Sequence, residues 1–250
     1  RDSVEKAFAD SPHGNFTPRY LGGVHTKNTS SHNPAMMGAL LMRQGKRLQE
    51  PSFTQAGIQM GKAFIRLSRV EDDVVCQQRF RGCPVSEAMC GVDLLCWLAS
   101  ATGEASYYKM AEATFRDTIA PCQSDEGLWH HIVYPDRRAA FWSRASHWPV
   151  LWGTHAIEAL PGDSALAEQL RGCLKRTYVA LERHQDPKRG LWRLVINEPE
   201  TRLESSATAG LIYSHDRLRE MGVLDDRFVP MIERAFQGLK TVYYAGGLGA

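Results

Sequence analysis

The chain has 250 residues, 43% of them hydrophobic and 23% charged, enough for one large domain with a core of its own or at most two small ones. A formal net charge of +2 argues against nucleic acid or an anionic membrane as a partner. No apolar run reaches the roughly eighteen residues of a membrane span.

Residues 1–33 lack periodicity and carry Gly, Pro, Asn and His. They are expected to form a loop or extended segment ahead of a single helical domain over 34–250. Two glycosylation sequons lie in that segment, Asn15-Phe16-Thr17 and Asn28-Thr29-Ser30; they lean the chain towards secretion and leave its location open. Pro34 opens a first predicted helix over 34–49, with Met37, Leu40, Leu41 and Leu48 on its apolar side. A second helix is predicted over 53–69. Cys76 and Cys83 follow, at a spacing that could bridge a loop in a secreted protein. The third predicted helix, 87–101, holds Cys90 and Cys96 in an apolar pattern that suits buried thiols. A fourth covers 106–119. With Cys122 and Cys173 the cysteines number six, and none of them pairs at CxxC spacing, so no structural zinc site is expected.

Residues 127–148 read GLWHHIVYPDRRAAFWSRASHW, with three tryptophans, three histidines and three arginines. The stretch is too polar for a core segment and too aromatic for an ordinary loop. Four more helices are predicted over 148–159, 164–183, 205–221 and 227–242, making eight. Alternating β-branched runs are scarce, so the expected class is all-α. An internal echo supports this. Gly127-Leu128-Trp129 recurs as Gly190-Leu191-Trp192, 63 residues on, each after a helix end and an acidic residue (Asp125, Asp186). The unit is a helical hairpin plus a longer loop, with Thr102-Gly103-Glu104 and Pro161-Gly162-Asp163 as the tight links. Repeated hairpins stack side by side and gather their long loops at one end, where a site can be built.

The segment GLWHH…FWSRASHWPVLWGTHAIEALP resembles the unsaturated glucuronyl and rhamnogalacturonyl hydrolases of glycoside hydrolase families 88 and 105. Their Gly-Leu-aromatic-aromatic-His strand, aromatic-x-Arg-x-x-x-Trp helix start and Leu-Pro helix end are matched by His131, Arg144, Trp148, Leu160 and Pro161. A second segment, GLWRLVINEPETRLESSATAGLIYS, is similar to the family's Gly-Leu-Trp strand and Leu-Glu-x-Ser-Ala-Ser helix start through Leu203, Glu204, Ser206, Ala207 and Thr208. VSEAMCGVDLLCWLASATGE resembles the helix opened by the family's catalytic aspartate, and SSHNPAMMGALL stands in place of an Asp-Asn-x-x-Pro start. The resemblance implies an (α/α)6 toroid, of which the chain would hold about four hairpins.

It also implies a reaction, hydration of the C4=C5 double bond of a terminal unsaturated uronic acid on oligosaccharides released by polysaccharide lyases. A carboxylic acid protonates the enol-ether carbon, water adds at its neighbour, and the hemiketal collapses to free the aglycone. One carboxyl can act as acid and then base, unlike the pair used by ordinary glycosidases. Glu87 takes the position of the family's aspartate, one methylene longer; its plainer reading is a helix-start glutamate favoured by the helix dipole. Ser30 or Ser31 stands where the family has a second aspartate, so that carboxylate role is lost, and His32 and Asn33 read best as a cap before Pro34.

The resemblance makes Arg144 the partner of the substrate carboxylate, through bidentate hydrogen bonds; a surface or hairpin-to-hairpin ion pair is its other reading. Trp148 would face the sugar ring or fill the core between hairpins. His131 would bond the substrate or assist the acid, with a satisfied loop-layer histidine as the alternative. His130 and His147 are secondary candidates. Trp129 and Trp192, recurring at equivalent positions, are expected to pack beneath the loops, and Glu204 with its neighbouring hydroxyls reads as a helix start. Asp136 is a turn residue or a spare carboxylate.

Adjacent His130 and His131 point their rings apart on an extended chain, so no metal is expected. No cofactor is expected either: Gly246-Gly247-Leu248-Gly249 follows a helix rather than opening one. The expected partner is an oligosaccharide with a terminal uronic acid; oligomeric state is left open. The alternative is a divergent relative that lacks this activity, binding a sugar or other small ligand or serving another reaction in the same cavity.

Overall fold

The computed structural model describes residues 33–76, 84–133 and 140–244. The expected extended segment up to His32, with both sequons and Ser30, Ser31 and His32, lies outside the described residues. So do Cys83, Asp136 and the Gly246–Gly249 run, and the side chains of Asn33 and Cys76. Among the described residues there are eight α-helices and four short strands. Contacts sort the chain into two compact units. One joins the residues up to 82 with Cys90–Phe115, the other joins Cys83–Met89 with Arg116–Ala250.

In the first unit, α1 (Asn33–Leu48) and α2 (Pro51–Leu67) form a hairpin. Pro51 sits in the first turn of α2, where its missing N–H costs nothing. The buried face of α1 is Ala35, Ala39 and Met42, at helical spacing. This corrects the expected face: Leu40 and Leu48 are 38% and 55% exposed. The seam is narrow, since a Cβ on Gly57 would come within 2.7 Å of Gly38 O, and alanines fit it where leucines do not. Strands β1 (Arg69–Glu71) and β2 (Val74–Cys76) pair antiparallel. Their turn, Asp72-Asp73, has φ of 48° and 66°, as a primed hairpin turn requires. Helix α3 (Met89–Thr102) is largely apolar and almost wholly buried, Asp93 included, with the side chains of Cys90 and Cys96 inside it. Burial pushes the Cys96 thiol well above its ordinary range. Gly103, at φ 75°, turns the chain into α4 (Ser106–Thr114).

The second unit holds α5 (Ser143–Ala159), α6 (Ala165–His184), α7 (Ser205–Glu220) and α8 (Val229–Tyr244), two more hairpins with α5 packed on α7. The predicted fourth helix widens into a π turn over Phe115–Ile119 and then tightens into a 3-10 turn over Ala120–Cys122. Helix α5 starts at Ser143, five residues before the predicted 148, and carries Pro149 in its interior. A proline removes one intrahelical hydrogen bond, and here the helix runs through it. Ser164 caps α6 by accepting from Ala167 N at 3.1 Å.

The echo is a structural repeat. In the first copy, Gly127 has φ 97° and lies 2.6 Å, for an added Cβ, from Arg176 O. Gln123 Nε2 donates to Gly127 O and Cys173 O, and Arg176 Nη2 donates to Gln123 Oε1. In the second, Gly190 has φ 74° and abuts Arg234 O. Gln185 Nε2 donates to Gly190 O and Met231 O, and Arg234 donates to Gln185 Oε1. Trp129 and Trp192 are buried beneath the loops, their indole N–H groups bonded to Thr177 Oγ1 and Leu181 O, both at 2.8 Å. The residue matching Asp186 is Ser124, not Asp125: Ser124 N and Asp186 N make the same bond to Leu128 O and Leu191 O.

Candidate active site

Three helix starts of the second unit share the pattern Ser-x-Ala: Ser86-Glu87-Ala88, Ser143-Arg144-Ala145 and Ser205-Ser206-Ala207. Two of them are stitched to a neighbouring loop in the same way. Ser86 N donates to His131 O at 3.0 Å, with Val85 bridged to Ile132 and Val133 N bonded to Pro84 O. Ser143 N donates to Leu194 O at 2.9 Å, with Trp142 bridged to Val195 and Ile196 N bonded to Phe141 O. Glu87 and Arg144 are therefore equivalent positions of successive helix starts.

Glu87 sits on a 3-10 turn, Ser86–Ala88, ahead of α3 rather than in its first turn as predicted. The backbone pairing of 84–86 with 131–133 brings its carboxylate beside the loop histidine, Oε2 lying 3.5 Å from His131 Nε2. That is long for a hydrogen bond, a separation that substrate binding can shorten. The two side chains are 19% and 31% exposed, open enough to be reached.

Around His131 stands an aromatic wall. Its ring meets Trp142 edge-on at 5.4 Å and Trp148 at 5.5 Å. Trp142 and Trp148 meet at 5.2 Å and 87°, and Trp148 is stacked on Trp152 at 6.1 Å. The guanidinium of Arg144 lies 4.3 Å from the centroid of Trp142. Among the described residues it has no carboxylate partner, and the cation–π contact with Trp142 leaves its N–H groups to bind an anion. Contact thus links Glu87, His131, Trp142, Trp148 and Arg144 into one cluster.

Residues 89–247, more than half of the chain, match the family described as Glycosyl Hydrolase Family 88. The chain belongs to that family. Among solved structures it is similar to a possible member of the GH105 family from Salmonella enterica serovar Paratyphi A, at 20% identity and a TM-score of 0.72 over 97% of this chain and 64% of that one. It is similar also to a glycosyl hydrolase family 88 protein from Bacteroides vulgatus, at 18% and 0.70 over 85% and 62%. A third is an unsaturated glucuronyl hydrolase, responsible for the degradation of glycosaminoglycan, from Bacillus sp. GL1, at 17% and 0.68 over 86% and 62%. The chain spans less than two thirds of the length of each of these. At such identities the likeness shows the fold: all-α, built of helical hairpins of the (α/α) toroid type. No curated protein sequence matches the chain.

Within this family fold the two secondary histidines turn elsewhere. His130 is stacked on Phe141 at 4.6 Å and 18°, its N–H bonded through the backbone to Cys122 O. Its Nδ1 is buried without a hydrogen-bond partner among the described residues, and burial draws its pKa below the ordinary value. His147 lies against α7, where a Cβ on Gly210 would collide with its Nε2. Burial holds its pKa down to about 4, against the opposing pull of Glu204 and with His155 adding to the fall. It is a neutral wedge between α5 and α7. Glu204 caps α7, accepting from Ala207 N at 2.6 Å and from the Ser206 hydroxyl, as a helix-start carboxylate should.

Trp142 was not singled out from the sequence, yet it joins Arg144 to His131. Its signal was the leading aromatic of the aromatic-x-Arg-x-x-x-Trp motif. Ser-x-Ala, with two small residues in three positions, carried too little information to be noticed.

Proposed function

We propose that the chain bears the site of a carbohydrate hydrolase that hydrates the C4=C5 bond of terminal unsaturated uronic acids. Its partner is an oligosaccharide of the kind polysaccharide lyases release. The observation that carries this reading is the Glu87 carboxylate 3.5 Å from His131 Nε2, in a cluster completed by Trp142, Trp148 and Arg144, in a chain of glycosyl hydrolase family 88.

Glu87 as the acid protonates C4 and is left as carboxylate. Water adds at C5 and gives its proton back to Glu87, leaving a C5 hemiketal that opens and releases the aglycone. His131 orients the carboxyl and steadies its charged form. Arg144, held over the ring of Trp142, pairs with the sugar carboxylate, and Trp148 faces the pyranose. The longer glutamate reaches from a 3-10 turn rather than from the helix itself.

The test is incubation with an unsaturated uronyl disaccharide, followed by the ultraviolet absorbance of the conjugated double bond. The absorbance is expected to disappear with time in proportion to enzyme. Stable absorbance at high enzyme, with the disaccharide nonetheless bound in calorimetry, would make the chain a sugar-binding member of the family instead.

A further inference from the structure

His131 has to be placed against two things at once, the acid Glu87 and the residues proposed to grip the sugar. The first placement is the backbone bond from Ser86 N to His131 O. The second runs through a different residue. Ser146 Oγ accepts a hydrogen bond from Trp129 N at 3.1 Å, and Ser146 is completely buried. Ser146 lies on α5 between Arg144 and Trp148, and Trp129 lies two residues before His131 in the loop. This side-chain hydrogen bond joins the start of α5 to the 127–133 segment.

The next repeat makes the same bond with the matching residue. Thr208 Oγ1 accepts from Trp192 N at 3.4 Å. There the flanking positions hold Ser206 and Gly210 rather than Arg144 and Trp148, and Leu194 replaces His131. The hydroxyl clamp is a feature of the fold, and only the first copy has reactive groups on either side of it.

We propose that Ser146 is a positioning residue, its hydroxyl setting the His131 segment in register with Arg144 and Trp148. Its kinetic consequence rests on the function proposed above. With the clamp broken, Arg144 and Trp148 still hold the sugar, and His131 with Glu87 stays paired through Ser86. The two halves lose their mutual register, so turnover suffers more than binding. Misplacement of reacting groups by a fraction of an ångström to an ångström is costly in rate.

Four variants of the full chain decide the matter: Ser146→Ala, Ser146→Val, Ser146→Thr and, as control, Thr208→Val. Threonine keeps the hydroxyl and valine is its shape without it; alanine removes the oxygen without adding bulk. Expected for Ser146→Val and Ser146→Ala is a fall in kcat of about tenfold with KM within about twofold. Ser146→Thr is expected to recover most of it, and Thr208→Val to lower the melting temperature without lowering kcat. In parallel, the Cε1 proton resonance of His131 is followed by NMR. It should move in Ser146→Val and Ser146→Ala, and stay in Ser146→Thr and Thr208→Val. If the wild-type protein turns over no unsaturated disaccharide, the proposed reaction fails and the NMR comparison alone judges the clamp. Equal kcat in Ser146→Val and Ser146→Thr, an equal loss in Thr208→Val, or an unmoved His131 resonance would overturn it.

Discussion

In residues 123–159 a glutamine amide, a left-handed glycine, a buried tryptophan, a helix-start hydroxyl and an arginine from the following helix close one loop. In residues 185–221 the same five chemical types close another. What differs is what stands between them. The first stretch presents His131, Trp142, Arg144 and Trp148; at the matching places the second has Leu194, Glu204, Ser206 and Gly210. Its spare charges serve its own backbone: Arg193 pairs with Asp186 at 2.5 Å, and Glu204 caps α7. Scaffold and chemistry are thus separable here, and the second stretch acts as an internal control for the first.

The largest expected effect tests that separation at the Ser-x-Ala positions. Glu87→Gln keeps the shape and removes the proton, and is expected to lower kcat by about 10³-fold with the fold intact. Arg144→Lys keeps a charge but loses the planar fork, and should raise KM by roughly tenfold to a hundredfold. Ser206→Ala, at the third position, should stay within about twofold on both constants, since its hydroxyl is spent on Glu204. Steady-state kinetics on the unsaturated disaccharide reads all three. A loss in Ser206→Ala matching that of Arg144→Lys would dissolve the contrast between the two stretches.

A second effect concerns what the stretches share. Gly127 and Gly190 both have positive φ and both face a carbonyl on the second helix of the next hairpin. Alanine is strained there and has no room, so Gly127→Ala and Gly190→Ala should each cost about 2–4 kcal/mol in urea unfolding, and nearly the same amount. If only one is costly, the two loops are not one scaffold used twice.

Much of this architecture shows in the sequence because it rests on large or conformationally unusual residues. Gly-Leu-Trp announces a left-handed turn and a big side chain to bury, and it recurs. Four hairpins follow from apolar periodicity and two short Gly-containing links. The motif residues His131, Arg144 and Trp148 are joined by contact, although the aromatic that joins them, Trp142, passes as one more tryptophan. Other features are illegible for physical reasons. The glutamine clamps depend on Arg176 and Arg234, some fifty residues from their partners. Helix α5 extends upstream of Pro149 because backbone pairing of Phe141 and Ser143 with the 194–196 segment fixes its start, whereas a local reading of proline starts the helix beside it. The buried face of α1 is illegible because its close approach to α2, where a Cβ on Gly57 would come within 2.7 Å of Gly38 O, favours small residues over leucine.

The smallest effect separates the stretches by pH. His147 in the first is matched by Ala209 in the second, so the second has no counterpart of this imidazole pressed on α7 from α5, and its own buried histidine, His215, belongs to α7 itself. Burial lowers its pKa from 6.5 to about 4. The folded protein then binds fewer protons at this site than the unfolded chain, so stability falls as pH drops. The loss begins below about 6.5, where the unfolded imidazole takes up its proton, and levels off once pH passes below about 4, where the folded one does too. At pH 4.5 the site should cost on the order of 2 kcal/mol relative to pH 7. His147→Gln removes the titration while keeping a polar side chain of similar length. Urea unfolding of both proteins at pH 7 and 4.5 isolates the contribution, because every other titrating group is common to the pair. The wild type should lose about 2 kcal/mol more than the variant between the two pH values. Identical losses would mean that the His147 ring is protonated without leaving its place against Gly210, and that the wedge between α5 and α7 is looser than the contact shows.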